Sequence, residues 1–230
     1  MHETRKKYTV LLLSAPIGSG HRLAAEALEQ AFADRPEVEV IHGNIFDFFP
    51  QFLGKAFLGT YLWILKCCPW LYKLAYSWGN KQGGSLWLRE LLNSLLARLG
   101  GSYLRSVQPD AVIATHATPA GIIGYYKKQH SKLWLGAVVT DFTIHRWWVC
   151  DGVDTYFIAD ELLRDKLATT ADIQATGIPV RQQFMIKHDK QKCREFFGWD
   201  ENERVCLLMG GGEGLLPMAE IIAALRLLPL

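Results

Sequence analysis

YTVLLLSAPIGSGHRLAAEALEQAFAD, residues 8–34, decides the fold. Tyr8 to Ser14 is a near-continuous apolar run, the mark of a central parallel strand buried on both faces. Ile17-Gly18-Ser19-Gly20-His21 reads as a tight glycine loop. Arg22 to Asp34 follows with Ala24, Ala27, Leu28, Ala31 and Phe32 on one stripe, which predicts a helix packed on the sheet. Glu37 to Ile41 is a second strand, so the chain opens β-loop-α-β.

The same rhythm returns further on. Ala111 to Ala114 is a strand introduced by Pro109-Asp110. Thr118-Pro119 reads as an N-cap and a first-turn proline opening a helix to about Gln129. Leu133 to Val139 and Thr155 to Ala159 are strands, Glu161 to Ala168 is a helix, and Ile173 to Ala175 is a short strand before the turn Gly177-Ile178-Pro179. Strands alternating with helices imply an α/β fold with an open, mostly parallel, Rossmann-like sheet. Lys187 to Asn202 is a charged linker and helix. Val205 to Met209 reads as a fresh buried strand, Gly210 to Gly214 as a second glycine loop, and a helix starts near Pro217. The expected division is a first domain over 1–185, a linker over 186–204, and over 205–230 the start of a second α/β domain that needs on the order of 100 more residues.

Composition narrows the function classes. Half of the 230 residues are hydrophobic and 21% are charged, which suits a packed globular chain. A net charge of +2 argues against a nucleic-acid protein held by bulk charge. The five cysteines are odd in number and none has C-x-x-C spacing, so reduced thiols are expected rather than disulfides or a zinc site. The apolar run after the basic start is only strand-long, unlike a signal peptide. No stretch reaches the ~18 apolar residues of a membrane span. The expectation is a cytoplasmic protein that touches a membrane without crossing it.

Residues 48–89 stand apart. They hold no Asp or Glu, five basic residues, and four of the eight tryptophans. Pro69 and Gly83-Gly84 should break the segment into short helices, and Leu86 to Leu99 should form a further helix ended by Gly100-Gly101. Trp63, Trp70 and Trp78 with Lys66 and Lys73 are the candidate membrane contacts, because indoles favour the interface and lysines snorkel toward anionic headgroups. The alternative is a core helix pair with lysines on its wet face.

Three motifs carry candidate chemistry. Gly18 and Gly20 allow close backbone approach to a ligand, and the helix N-terminus offers free N–H groups. Leu23 stands where a dinucleotide fingerprint wants a third glycine, so a nicotinamide or flavin reading weakens. His21 sits where the helix dipole opposes the imidazolium, and a neutral ring there is suited to take a proton. The second motif is Thr140-Asp141-Phe142 with His145, Trp147 and Trp148, at the carboxyl end of a strand where open α/β sheets bind ligands. An ordinary capping role for Asp141 and a surface role for His145 stay open, and His116 at another strand end shares that ambiguity. The third motif is Gly210-Gly211-Gly212-Glu213-Gly214, which could form a backbone nest for a phosphate or a flexible turn.

Together the stretches GSGHRLAAEALEQAF, VVTDFTIHRWWVCDGVDTYFIADE, TGIPVRQQF and LLMGGGEG resemble the monogalactosyldiacylglycerol synthase family. Its relatives are the processive diacylglycerol glucosyltransferases and, more distantly, the peptidoglycan glycosyltransferase MurG. The resemblance implies the N-terminal half of a two-domain GT-B glycosyltransferase that moves a hexose from a UDP-sugar to diacylglycerol with inversion and without a bound metal or cofactor. It implies His21, then Asp141, as catalytic residues. Gly18, Gly20, His116, His145 and Trp147 would line the acceptor cleft, and Gly210 to Gly214 would form the first donor-phosphate loop. Two departures stand out: Leu216 replaces a glycine of the plant-like G-G-G-E-G-M-G-P pattern, and His42, Gly43 and Asn44 precede Asp47 where the family often has an Asp. The rival implications are a MurG-like transferase acting on a polyprenyl-linked acceptor and a non-catalytic membrane-binding module.

Overall fold

A computed structural model describes residues 7–15, 19–48, 51–68, 86–130, 132–211 and 216–227, with Trp70, Leu74 and Ser77 between them. Six strands form one sheet: β1 (Tyr8–Ser14), β2 (Val38–Asn44), β3 (Ala111–Ala114), β4 (Trp134–Val138), β5 (Thr155–Ile158) and β6 (Asp172–Ala175). All neighbours are parallel and the order is β2-β1-β3-β4-β5-β6. The fold is the α/β, Rossmann-like sheet that the strand–helix alternation predicts.

The period of two in β1 explains its two burial partners. Leu11 and Leu13 join Val112, Leu135, Ala137 and Tyr156 on one face. Val10 and Leu12 join Ala111, Ile113 and Val138 on the other. Leu11, Leu12 and Leu13 are fully buried, and each contributes roughly 1.5–3 kcal/mol. Helix α1 (Ser19–Phe32) covers the second face through Ala25, Leu28 and Phe32. Helices α3 (Leu86–Val107) and α4 (Ala117–Lys127) cover the first through Ala97, Leu104, Ala120, Ile122 and Ile123. The other helices among the described residues include α2 (Gln51–Cys67), α5 (Lys190–Phe197) and α6 (Met218–Leu225).

Several sequence expectations change in the structure. Helix α1 begins at Ser19, so Gly20 and His21 lie in its first turn rather than in a loop before it. Helix α3 runs through Gly100-Gly101 to Val107. Those glycines serve approach rather than termination: a Cβ on Gly100 would fall 2.6 Å from the Phe48 ring. His116, not Thr118, caps α4, its Nδ1 accepting from the Thr118 N–H at 3.1 Å. Pro119 still fits the first turn, where a missing N–H is harmless. Residues 161–166 wind as a 3-10 turn in place of the expected α-helix. Among the described residues no strand follows β6, and Val205, Leu207 and Met209 are exposed. A strand needs a hydrogen-bonded neighbour, and no strand beside 205–209 supplies one.

Candidate functional site

The strand order places a crevice. The chain runs β1-α1-β2 to one side of β1, then crosses to β3 on the other side. That reversal is a topological switch point, the place where open α/β sheets bind ligands, outside the carboxyl ends of their strands. His21 follows β1, Thr115 and His116 follow β3, and Thr140 and Asp141 follow β4. Residues distant in sequence therefore meet. The His21 Nδ1 lies 2.8 Å from the Thr115 carbonyl oxygen and 2.8 Å from Thr140 Oγ1. The His21 and His116 rings meet edge to face with centroids 4.6 Å apart.

These bonds assign protons. A carbonyl oxygen only accepts, so His21 carries its hydrogen on Nδ1 and keeps a lone pair on Nε2. A backbone N–H only donates, so His116 has its lone pair on Nδ1 and its hydrogen on Nε2. His145 follows the second pattern, since its Nδ1 accepts from the Trp147 N–H at 3.2 Å. Of the three histidines, only His21 in its neutral form presents a proton-accepting Nε2.

Burial, then the nearby charge of His21, lowers the His116 pKa from the usual 6.5 to about 3. The ring is therefore neutral throughout the physiological range. The unfolded chain binds a proton near pH 6.5 that folded His116 refuses until about pH 3. This contribution to stability is accordingly complete above pH 6.5 and is lost as pH falls from 6.5 toward 3.

The loop after β4 is fixed from beneath. The buried Tyr156 hydroxyl of β5 donates to the Trp148 carbonyl at 2.7 Å and accepts from the Cys150 N–H at 3.0 Å. Burial raises the Tyr156 pKa, so the hydroxyl keeps its proton. Arg89 of α3 donates to the carbonyls of Val149 at 2.7 Å and Arg146 at 3.2 Å. The buried Trp148 indole donates to Asp141 Oδ2 at 3.4 Å, and its ring centroid lies 6.5 Å from that of His116. Asp141 is thereby tethered beside the crevice. Burial pushes the Cys150 thiol up to about 12, which leaves it a weak donor to the Trp147 carbonyl rather than a nucleophile. Among the described residues two buried polar atoms, Thr115 Oγ1 and Trp147 Nε1, have no hydrogen-bond partner. Such atoms cost about 1–3 kcal/mol each; Thr115 directly follows β3, and Trp147 lies in the loop after β4.

The chain matches the sequence profile of the family described as monogalactosyldiacylglycerol (MGDG) synthase over residues 21–180. It belongs to that family. Relatives of this MGDG synthase family member include the processive diacylglycerol beta-glucosyltransferases of Bacillus pumilus, 28% identical over 97% of this chain and 59% of the relative, and of Bacillus cereus, 29% identical over 92% and 55%. The Bacillus subtilis protein of that description is 26% identical over 90% and 55%. The chain thus spans between 55% and 59% of the length of these relatives.

The other expected positions are placed as follows. Gly20 is exposed in the first turn of α1, where a Cβ would meet nothing within 4 Å, so packing within the chain does not require a glycine there. Trp63 and Trp70 are exposed. The Lys66 side chain, Lys73, Trp78, Gly18, Gly212, Glu213 and Gly214 lie outside the described residues. Gly210 and Gly211 lie beyond β6, Gly211 at φ +74°. Arg89, the last base of the acid-free segment, turns inward to the 146–149 carbonyls rather than outward. Sequence reading left Thr115 and Thr140 unassigned. Thr140 opens the Thr140-Asp141-Phe142 motif and could have been found there, whereas Thr115 acts through a backbone carbonyl that no side-chain pattern reveals.

Proposed function

We propose that this chain is the acceptor-binding part of an inverting glycosyltransferase that moves a hexose from a UDP-sugar to diacylglycerol. Residues 1–185 hold the acceptor, 186–204 link, and 205–230 begin the domain that holds the nucleotide sugar. The observation that carries this reading is the His21 ring at the switch point, proton on Nδ1 and lone pair on Nε2, in a chain of the MGDG synthase family.

In this reaction the free hydroxyl of diacylglycerol attacks the anomeric carbon from the side opposite the diphosphate. The new C–O bond forms as the old one breaks, its electron pair leaves with UDP, and the hydroxyl proton passes to His21 Nε2. Attack from the opposite side inverts the centre. Thr115 and Thr140 hold the ring in the accepting tautomer, the role that a second hydrogen bond plays for a histidine base. Asp141, tethered by Trp148, is the second candidate base. His145 and Trp147 shape the cleft, and Gly210 to Gly214 with Glu213 contact the donor diphosphate. His21 and its partners supply the proton transfer, so the scheme needs no cofactor beyond the UDP-sugar substrate.

The acceptor is a lipid, so the protein works peripherally on the cytoplasmic face of a membrane. Support comes from exposed apolar side chains on the acid-free segment and the helix after it. Trp63 and Trp70 are joined by Trp87, Leu91, Leu95 and Leu99, which recur every four residues along one exposed line of α3. A patch of that kind marks a contact surface. Among the described residues no helix is long and apolar enough to cross a membrane. Each Lys near an anionic surface adds roughly 1 kcal/mol of attraction.

The test is a transfer assay on the protein expressed from its complete reading frame, with diacylglycerol in anionic or neutral vesicles, several UDP-sugars, and product mass spectrometry. A hexosyl-diacylglycerol from one donor, formed faster on anionic vesicles and slowed by salt, is expected. Transfer to a polyprenyl-linked acceptor alone, or vesicle binding without transfer from any donor, would overturn the reading.

A further inference from the structure

We propose that His116 is a second catalytic residue, donating its Nε2–H to the oxygen of the same acceptor hydroxyl whose proton His21 accepts. This rests on the reading of the crevice given above and names the partner that reading leaves out.

The two imidazoles are chemically opposite although both are neutral. His116 commits Nδ1 to the Thr118 N–H and retains an N–H on Nε2. His21 commits its Nδ1–H to the Thr115 carbonyl and retains a lone pair on Nε2. Neither Nε2 has a hydrogen-bond partner among the described residues, and neither residue is fully buried. Their centroids lie 4.6 Å apart. The rings are therefore neighbours at the strand ends, and one acceptor hydroxyl can approach both.

An attacking hydroxyl has four directions to satisfy. One holds its own carbon. The proton points to His21 Nε2. One lone pair accepts from His116 Nε2–H, and the other faces the anomeric carbon. With three directions fixed by covalent bond, donor and acceptor, the attacking lone pair has one remaining direction. As the new C–O bond forms, the proton moves to His21 and the electron pair of the broken bond leaves with UDP. His116 gives up no proton in the step. Its burial suits that role, because a ring that stays neutral remains a donor on Nε2 and an acceptor on Nδ1.

Capping and donation separate by substitution. His116→Asn keeps an oxygen at the Nδ1 position, so the cap of α4 survives, and it removes the donor at the far edge of the ring. His116→Gln puts a donor near the Nε2 position and loses the cap. In the protein from its complete reading frame, measured with diacylglycerol vesicles and saturating UDP-sugar, melting temperature should order Asn above Gln and kcat should order Gln above Asn. The Asn variant should lose about 10- to 100-fold in kcat, the scale of one hydrogen bond to a charge-bearing group. Rates that follow the melting temperatures, or an Asn variant at the wild-type rate, would make His116 a cap only and overturn the proposal. Failure of the wild-type protein to transfer sugar to diacylglycerol would instead defeat the function proposed above.

Discussion

His21→Ala in the complete enzyme should lower kcat by ~10²–10⁴, the range of a general-base contribution. The Nδ1 bonds to the Thr115 carbonyl and Thr140 hydroxyl, both at 2.8 Å, orient the ring and fix its hydrogen. That arrangement serves catalysis only if Nε2 takes the proton. His21→Gln separates the two roles, since its amide keeps hydrogen bonding near the Nε2 position but cannot act as a base near neutral pH. The account expects Gln to be as slow as Ala, with folding unchanged for both. A Gln variant that recovers most of the rate would make His21 a positioning residue, and Asp141 would be the next base to test. Unchanged rates in both variants would reduce the β1–α1 junction to an ordinary turn.

Gly124→Ala should destabilise the fold by roughly 3 kcal/mol or more, toward the upper end of overpacking costs. A Cβ there would lie 2.1 Å from the Asp151 carbonyl oxygen. The obstacle is backbone, so no side chain can rotate away. The contact is mutual: Gly152 sits at φ +82°, and a Cβ on it would fall 2.8 Å from the Gly124 carbonyl. Helix α4 thus packs backbone to backbone on the 151–152 turn, which ends the loop bearing Asp141, His145 and Trp147. Against a total stability of about 5–15 kcal/mol, the loss should appear as a clear drop in urea midpoint. A midpoint equal to wild type would mean that this crossing is not as close as described.

How much of this could be read from sequence depends on the range of each interaction. The runs at Tyr8–Ser14 and Ala111–Ala114 are apolar enough that strand, burial and parallel pairing follow from pattern alone. The glycine pair at 100–101 misleads, because a helix-stopping glycine and a glycine under the Phe48 ring look alike in one dimension. The cap of α4 misleads for a similar reason. Thr118-Pro119 carries the commoner signal, but the His116 ring reaches the N–H two residues on and takes the position. Residues 205–209 have a strand's composition without a strand's neighbour. The motifs marked His21, His116, Asp141 and His145 as candidates, yet not which ring accepts a proton. That follows from a carbonyl 94 residues from His21, brought near only by the crossing from β2 to β3.

The central claim is that hydrogen bonding at the switch point leaves His21 with the proton-accepting nitrogen and gives His116 the donating one. Two-bond and three-bond ¹H–¹⁵N correlation spectra of the protein labelled with ¹⁵N-histidine, recorded above pH 7, read each tautomer directly. The account predicts the hydrogen on Nδ1 for His21 and on Nε2 for His116. A His21 ring that carries its hydrogen on Nε2 would have no lone pair to offer the acceptor hydroxyl, and would contradict the account.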